Sequence, residues 1–126
     1  MSYILIVDDE PLVARSAQRL LEREKANLGI EAIFTENNGQ AGLDRFRGMA
    51  GCILVVSDYD MPRMDGEELA RTLRQEEHYQ GPIAIISGGH TPERRERLAG
   101  LDVTCIDKPY DITLFRAYLQ QTIRKG

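Results

Sequence analysis

The length and charge of the chain limit both its size class and its partners. With 126 residues, 42% of them hydrophobic, it can form one domain with a real core but not two. Its formal net charge of −4 argues against a surface that coats nucleic acid. No apolar run approaches the ~20 residues of a membrane-spanning helix, and the N-terminus lacks a signal-peptide pattern. We therefore expect a single cytoplasmic domain over residues 1–126 that binds neither nucleic acid nor a membrane directly.

The first half of the chain predicts two strand–helix units. Residues 3–7 are all apolar, which is typical of a short strand buried on both faces. A helix should follow over about residues 11–28, with an apolar face that includes Leu12. The shorter and more polar run 31–35 predicts an edge strand. A second, weaker helix should be capped by the Asn-Asn-Gly sequence and close near Gly48.

The second half of the chain continues this alternation. The apolar run 52–56, followed by Ser57 and Asp58, predicts a buried central strand that ends on Asp58. Asp65, with Glu68 three residues later, resembles a capping box at the start of a helix. The remaining elements are expected to be strands over 83–86 and 103–106 and helices over 91–99 and from Asp111 onward. Five strand–helix alternations predict an α/β fold with a mostly parallel sheet.

Several conspicuous residues carry a weaker signal. Cys52 and Cys105 fall in predicted strands without a CxxC motif, so we expect two buried, reduced thiols. His78 and His90 fall in loop-like segments and are expected to be solvated. The charged helix around 93–99 carries three arginines, which could form either a solvated face or a partner surface.

Four of the five predicted strands end on a side chain that is able to do chemistry. These side chains are Asp8 and Asp9, Asp58, Ser87 and Lys108. The carboxyl ends of parallel strands lie on one edge of a sheet, where open α/β sheets bind their ligands. Each residue alone could be a solvated strand end, a helix cap or a turn residue. Their coincidence on one edge favours a functional site.

The charges at this edge predict the kind of ligand. Three carboxylates and one lysine leave a formal charge of about −2, and two like charges ~4 Å apart repel by roughly 4 kcal/mol at an effective dielectric constant of about 20. A hard cation such as Mg²⁺ relieves this repulsion through carboxylates, a carbonyl and waters. The Gly88-Gly89 backbone, the Ser87 hydroxyl and Lys108 can donate to oxyanions. Together these groups predict a metal-dependent site for a phosphoryl group.

The spacing of these residues resembles that of a response-regulator receiver domain. The match consists of Asp8-Asp9, the D-x-D-M-P-x-M-D-G motif over 58–66, Ser87-Gly88 and Lys108-Pro109, and it runs the full length of the chain. The resemblance implies a flavodoxin-like, doubly wound parallel sheet ordered 2-1-3-4-5, with two helices on one face and three on the other. It also implies a two-component signalling domain that catalyses only its own phosphorylation and dephosphorylation.

The resemblance implies a role for each acidic residue. Asp58 would accept a phosphoryl group from a phosphohistidine on a sensor histidine kinase or a histidine phosphotransfer protein. Asp9, Asp58 and the carbonyl of Asp60 would bind Mg²⁺, and Asp8 would act through a bound water. The phosphorylated domain would then control a partner or an effector domain in a phosphorelay.

The resemblance also implies which groups hold the phosphoryl oxygens. Lys108 would pair with them, and the Ser87 hydroxyl would swing to donate to them. The backbone amides of Tyr59 and Gly88 would complete the cradle. The Lys108–Pro109 peptide bond would be cis.

Two residues depart from the family pattern. The family usually has an aromatic residue three positions before its lysine, and this chain has Cys105 there. Because a thiol cannot replace a rotating ring, activation should instead travel through the backbone of the loop 87–91. Gly88, where the family often has Ala, is followed by Gly89, which should make that loop easier to move.

Two other functions fit parts of the pattern. A haloacid-dehalogenase-like phosphatase also uses an Asp nucleophile in a D-x-D motif, but Pro62 stands where that family has Thr or Val, and Asp8-Asp9 would be unexplained. A degenerate receiver could act as a phosphate-independent interaction module, although the acids, hydroxyl and lysine are intact. The chain could be a stand-alone receiver or part of a longer protein, and its kinase and output remain open.

Overall fold

The computed structural model describes residues 1–108 and 112–123, which form five strands and five helices in alternation. Their bounds in chain order are β1 Tyr3–Val7, α1 Pro11–Leu28, β2 Ala32–Glu36, α2 Gly39–Gly48, β3 Cys52–Asp58, α3 Gly66–Gln75, β4 Ile83–Ser87, α4 Pro92–Ala99, β5 Thr104–Asp107 and α5 Ile112–Ile123. Within this part of the chain, no helix has the length and hydropathy needed to cross a membrane.

The strands form one parallel sheet in the order β2-β1-β3-β4-β5, which confirms the predicted topology. All five residues of β1 and all five of β4 are buried, as are the last five of β3. The two edge strands, β2 and β5, carry mostly half-buried or exposed side chains. This difference explains why the inner strands are continuous apolar runs whereas the edge strands include polar residues.

Helices cover both faces of the sheet. Leu43 of α2, Leu73 of α3 and Leu98 of α4 are buried against one face. Leu21 of α1 and Leu119 of α5 are buried against the other. Fully burying a leucine side chain stabilises the fold by about 1.5–3 kcal/mol, so both layers contribute substantially to the core. The predicted division into two helices and three is confirmed.

Polar side chains fix the starts of three helices. Asn38, Asp65 and Thr91 each accept a hydrogen bond from the backbone N–H three residues ahead, at 2.7, 2.8 and 3.1 Å. Such caps typically contribute about 1 kcal/mol. The cap at Asp65 matters for the site, because it fixes the entry of α3 directly after the loop that follows Asp58.

Some details of the sequence prediction were wrong. Leu12, assigned to the apolar face of α1, is 77% exposed because the buried stripe of that helix runs through Ala17 and Leu21. Strands β2 and β5 each begin and end one residue later than predicted. The predicted cap Asp111 and the Lys108–Pro109 peptide bond lie outside the described residues.

The two cysteines are free, as expected, but they are only half-buried. Cys52 opens β3, where the end of the strand leaves part of the side chain uncovered. Cys105 lies on the edge strand β5, which has a neighbouring strand on one side only. The expectation of buried thiols was therefore wrong at both positions, whereas that of free thiols was met.

Candidate functional site

The sheet brings the polar strand ends together. Asp58 ends β3, and the strand register places Asp8 beside it on one side and Ser87 one residue further along on the other. Lys108 follows β5, and its backbone N–H donates to the Ser87 carbonyl at 2.9 Å. Four side chains that are far apart in sequence therefore share one edge, as the pattern of strand ends predicted.

Four carboxylates cluster at this edge. Oxygen atoms of Asp8, Asp9, Glu10 and Asp58 lie within 4.8 Å of one another. Asp8 and Asp58 are buried, whereas Asp9 and Glu10 are exposed. The Glu10 backbone N–H donates to Oδ1 of Asp8 at 2.9 Å and holds that carboxylate in the cluster. One side of the cluster is thus fixed in the protein, and the other faces solvent.

Three residues of the predicted metal set, Asp8, Asp9 and Asp58, are in this cluster, whereas Glu10 is an addition and Asp60 is not a member. Sequence reasoning missed Glu10, although its place two residues after Asp8 was a usable signal. Asp60 was expected to contribute its carbonyl, and its exposed carboxylate is not one of the four that cluster among the described residues.

The Asp58 backbone is held in place, and its buried carboxylate has one lysine beside it. It is 3% exposed, and Nζ of Lys108 lies 3.1 Å from its Oδ1. Its carbonyl oxygen accepts a hydrogen bond from the Ser57 hydroxyl at 2.9 Å. Gly66 packs so closely on the Asp58 backbone that an added Cβ would lie 2.5 Å from the same carbonyl oxygen. The carboxylate therefore projects from a fixed backbone toward a single ammonium group.

Burial controls the protonation of the two inner acids. It raises the pKa of Asp8 from 3.8 to about 6, and the charges of Asp58 and Asp9 add to this effect. Burial also raises the pKa of Asp58, although Lys108 opposes it. Burial alone would lower the pKa of Lys108, but the hydrogen bond and charge of Asp58 outweigh it, and the pKa is raised. One lysine does not fully offset the acids, so further positive charge would stabilise the ionised cluster.

The predicted oxyanion donors differ in exposure and in whether they already make a hydrogen bond. Ser87 is fully buried at the end of β4, and Gly88 is exposed next to the Lys108 side chain. The Tyr59 N–H, predicted to bind the phosphoryl group, donates to the Ile86 carbonyl at 2.8 Å. The Tyr59 amide would have to leave this bond before it could bind a ligand.

Arg94 reaches from α4 into the site, a contact that sequence reasoning did not find. Its Nη1 donates to the Ser87 Oγ at 3.0 Å and to the Gly89 carbonyl at 3.2 Å. Its guanidinium carbon lies 3.6 Å from the centroid of the Tyr59 ring. Residue spacing within α4 could have placed Arg94 and Arg97 on one face of the helix, but not against a particular neighbour.

Glu67 of α3 joins the Tyr59 side chain to two further arginines, one on α3 and one on α4. Its buried carboxylate accepts hydrogen bonds from the Tyr59 hydroxyl at 3.0 Å, from Arg71 at 3.0 Å and from Arg97 at 3.1 Å. Burial alone would raise the pKa of Glu67, but these three donors outweigh it and the pKa is lowered. With Arg95 paired to Asp107 at 2.8 Å, every arginine of α4 has a partner within the protein.

His90 was predicted to be solvated, and this was wrong. The side chain is half-buried, with Nε2 3.2 Å from the Ile85 carbonyl and the ring edge-on to Tyr59 at a centroid distance of 6.4 Å. The loop after β4 folds back over the strand end, which a loop-like composition does not reveal. His78 is exposed, as predicted.

Comparison with known proteins identifies the family. The sequence matches the family model described as the response regulator receiver domain over residues 4–120. The protein named response regulator ArlR from Staphylococcus epidermidis is 33% identical over 128 residues, covering 99% of this chain and 54% of that protein. The same-named protein of Staphylococcus aureus has the same identity and coverage. The chain spans about half the length of the curated relatives it matches.

Solved structures show the same fold. The chemotaxis protein CheY4 of Vibrio cholerae is 22% identical with a TM-score of 0.83, and covers 97% of this chain and 98% of its own. A two-component response regulator from Clostridium difficile is 17% identical with a TM-score of 0.85, and the match covers 99% and 98% of the two chains. The receiver domain of a signal transduction histidine kinase from Syntrophus aciditrophicus is 26% identical with a TM-score of 0.79, over 99% and 92%. The flavodoxin-like sheet, the sequence match over 4–120 and the relatives agree, and the chain belongs to the response regulator receiver domain family of two-component signalling.

Proposed function

We propose that this chain is a phosphoacceptor receiver that takes a phosphoryl group on Asp58 and thereby changes its affinity for a partner or an effector domain. The observation that carries the proposal is the position of Asp58. Its carboxylate is buried, lies 3.1 Å from the Lys108 ammonium and borders three further carboxylates on a solvent-facing edge. A nucleophile, a fixed cation and a cation-attracting cluster are thus adjacent, as phosphoryl transfer requires.

The residues fit a Mg²⁺ ion. Asp8, Asp9 and Asp58 offer the hard oxygen ligands that Mg²⁺ prefers, with the Asp60 carbonyl as the proposed fourth donor. Glu10 is close enough to add charge to this set. A bound Mg²⁺ would neutralise charge that develops on the phosphoryl oxygens.

The transfer forms one bond and breaks another. An Asp58 carboxylate oxygen attacks the phosphorus of a phosphohistidine on a sensor histidine kinase or a histidine phosphotransfer protein. The phosphorus–nitrogen bond breaks, and the imidazole keeps the electron pair. Lys108 serves this step twice: it favours the ionised nucleophile although burial raises the Asp58 pKa, and it neutralises the transferred oxygens.

The remaining donors hold the product. Ser87 and the Gly88 amide would donate to phosphoryl oxygens, and the Tyr59 amide would join them after leaving the Ile86 carbonyl. We propose that residues 1–126 act as a single receiver domain. The free thiols suit a reducing cytoplasm.

Turnover distinguishes the proposed function from its rivals. The protein is incubated with acetyl phosphate and Mg²⁺, and separately with p-nitrophenyl phosphate, while covalent phosphate and released phosphate are measured against protein. A receiver takes up about one phosphoryl group per chain and releases it slowly. A phosphatase releases many equivalents of phosphate from both compounds without stable labelling. An interaction module shows neither, and either of these last two results would refute the proposal.

A further inference from the structure

The hydroxyl of Ser87 is held by two donors. Its Oγ accepts a hydrogen bond from Nη1 of Arg94 at 3.0 Å and another from the Gly89 N–H at 3.1 Å. A serine oxygen has two acceptor positions, so these donors fill both. The side chain is completely buried, and bulk water therefore does not replace either donor. This set of bonds stabilises one orientation of the hydroxyl.

That orientation is on the α4 side of the sheet. Ile85, two residues before Ser87, packs in the core layer that contains Leu98 of α4. Val56, two residues before Asp58, packs in the opposite layer. Because residues two apart on a strand face the same side, the side chains of Ser87 and Asp58 start from opposite faces of the sheet. The Ser87 hydroxyl would have to leave its two donors before it could donate to a group on Asp58.

Arg94 is itself fixed where it holds this hydroxyl. Its guanidinium carbon lies 3.6 Å from the centroid of the Tyr59 ring, and its Nη1 also donates to the Gly89 carbonyl at 3.2 Å. The α4 helix buries only Leu98 among its eight residues, and the bonds of Arg94 join its first turn to the end of β4. A change at Ser87 would therefore change how α4 is attached.

We propose that Arg94 is a latch that stabilises the unliganded site by keeping the Ser87 hydroxyl on the α4 side. The inference rests on the proposed function, in which Ser87 donates to a phosphoryl group on Asp58. Only molecules in which Ser87 has left Arg94 can make that bond, so the latch lowers the apparent affinity of the site. By reciprocity, a phosphoryl group that recruits Ser87 releases Arg94, which links the site to α4 without the aromatic ring that Cys105 replaces.

The test measures the affinity for beryllofluoride, an analogue of the phosphoryl group, by NMR titration in the presence of Mg²⁺. Arg94→Met should bind it roughly threefold to tenfold more tightly than the parent, because a hydrogen bond of the unliganded state is lost. The direction is informative, since removal of a nearby cation would by itself weaken the binding of an anion. Arg95→Met is the matched control: it removes a cation from the same helix, but Arg95 pairs with Asp107, so binding should be no tighter than in the parent.

The Ser87→Ala background shows whether Arg94 acts through the hydroxyl. In that background, Arg94→Met should change the affinity by less than about twofold. Tightening that persists there would overturn the inference, and so would an Arg94→Met variant that binds no more tightly than the parent while the parent is phosphorylated normally.

A second measurement serves if Arg94→Met does not fold. The side-chain N–H signals of Arg94 in the parent should shift when beryllofluoride saturates the site, and unchanged signals would overturn the latch. A parent that neither binds beryllofluoride nor becomes phosphorylated refutes the receiver function and the inference with it.

Discussion

The burial of Asp8 predicts how the stability of the metal-free protein changes with pH. The pKa of Asp8 is raised from 3.8 to about 6 in the fold. A carboxyl whose folded pKa lies above its unfolded pKa binds more protons in the fold between those two values, so the protein loses stability as the pH rises from about 4 to about 6. The free energy of unfolding should therefore rise as the pH falls from 7 to 5, provided that no metal is bound.

The size of this effect follows from the shift. One pKa unit corresponds to 1.36 kcal/mol, so the shift would destabilise the ionised form by about 3 kcal/mol at most. Because the outer acids Asp9 and Glu10 are exposed and water screens that side, we expect about 1–3 kcal/mol. About 1 kcal/mol of this should be recovered between pH 7 and pH 5. The raised pKa of Asp58 acts in the same direction, whereas the lowered pKa of Glu67 matters only at lower pH.

Urea unfolding in EDTA at pH 7 and pH 5, at constant ionic strength, measures the effect. Asp8→Asn keeps the acceptor for the Glu10 N–H but carries no charge, so at pH 7 it should be about 1–3 kcal/mol more stable than the parent and depend less on pH. Asp102→Asn, an exposed acid in the turn before β5, should leave the pH dependence unchanged.

Mg²⁺ should narrow the difference in stability between the parent and Asp8→Asn. A Mg²⁺ concentration of ten times its Kd should stabilise the parent by about 1.4 kcal/mol at pH 7, and less at pH 5, where protons compete. Asp9→Asn should lose much of this gain while remaining folded. The reasoning fails if the metal-free parent becomes less stable between pH 7 and pH 5, or if Asp8→Asn keeps the full pH dependence of the parent.

Three further substitutions test other parts of the site. Gly66→Ala should destabilise the protein by about 1–3 kcal/mol and slow the phosphorylation of Asp58, because the added Cβ would lie 2.5 Å from the Asp58 carbonyl oxygen. Gly48→Ala is the control: the space around Gly48 is open, so neither stability nor phosphorylation should change. Urea unfolding and mass spectrometry measure the two effects. Lys108→Ala should retain Mg²⁺ binding but lose part of the amide shift changes that phosphorylation causes; a complete set of parent-like shifts would contradict this. Cys105→Ala should alter phosphorylation-dependent partner binding by less than roughly 1 kcal/mol, with hydrogen exchange changing chiefly over residues 87–92.

Much of the fold could be predicted because the strands that matter most are buried on both faces. The runs 3–7, 52–56 and 83–86 are continuous and apolar, and the polar residues that end them mark the edge of the sheet. The polar residues at the strand ends identified Asp58 and Ser87 as site residues, because the carboxyl ends of parallel strands lie on one edge of the sheet however the helices pack. These predictions depend on local composition and topology alone.

The rest depends on how elements pack, which local patterns do not determine. The Arg94–Ser87 hydrogen bond depends on how α4 packs against the end of β4. The hydrogen bond from Arg97 to Glu67 depends on how α4 packs against α3. Helical spacing places Arg94 on a face but gives no partner for it. Similarly, Leu12 fits the apolar period of α1 but lies off its buried face. The Tyr59 amide, predicted to bind a ligand, donates to the Ile86 carbonyl instead.

The central claim is that Asp58 is a metal-dependent phosphoacceptor. Intact-protein mass spectrometry of the parent and Asp58→Asn, each incubated with acetyl phosphate in Mg²⁺ or in EDTA, tests it directly. The account predicts one added phosphoryl group in the parent with Mg²⁺, little in EDTA, and none in Asp58→Asn, with Asp60→Asn still labelled. Equal labelling of the parent without metal, or persistent labelling of Asp58→Asn, would contradict it.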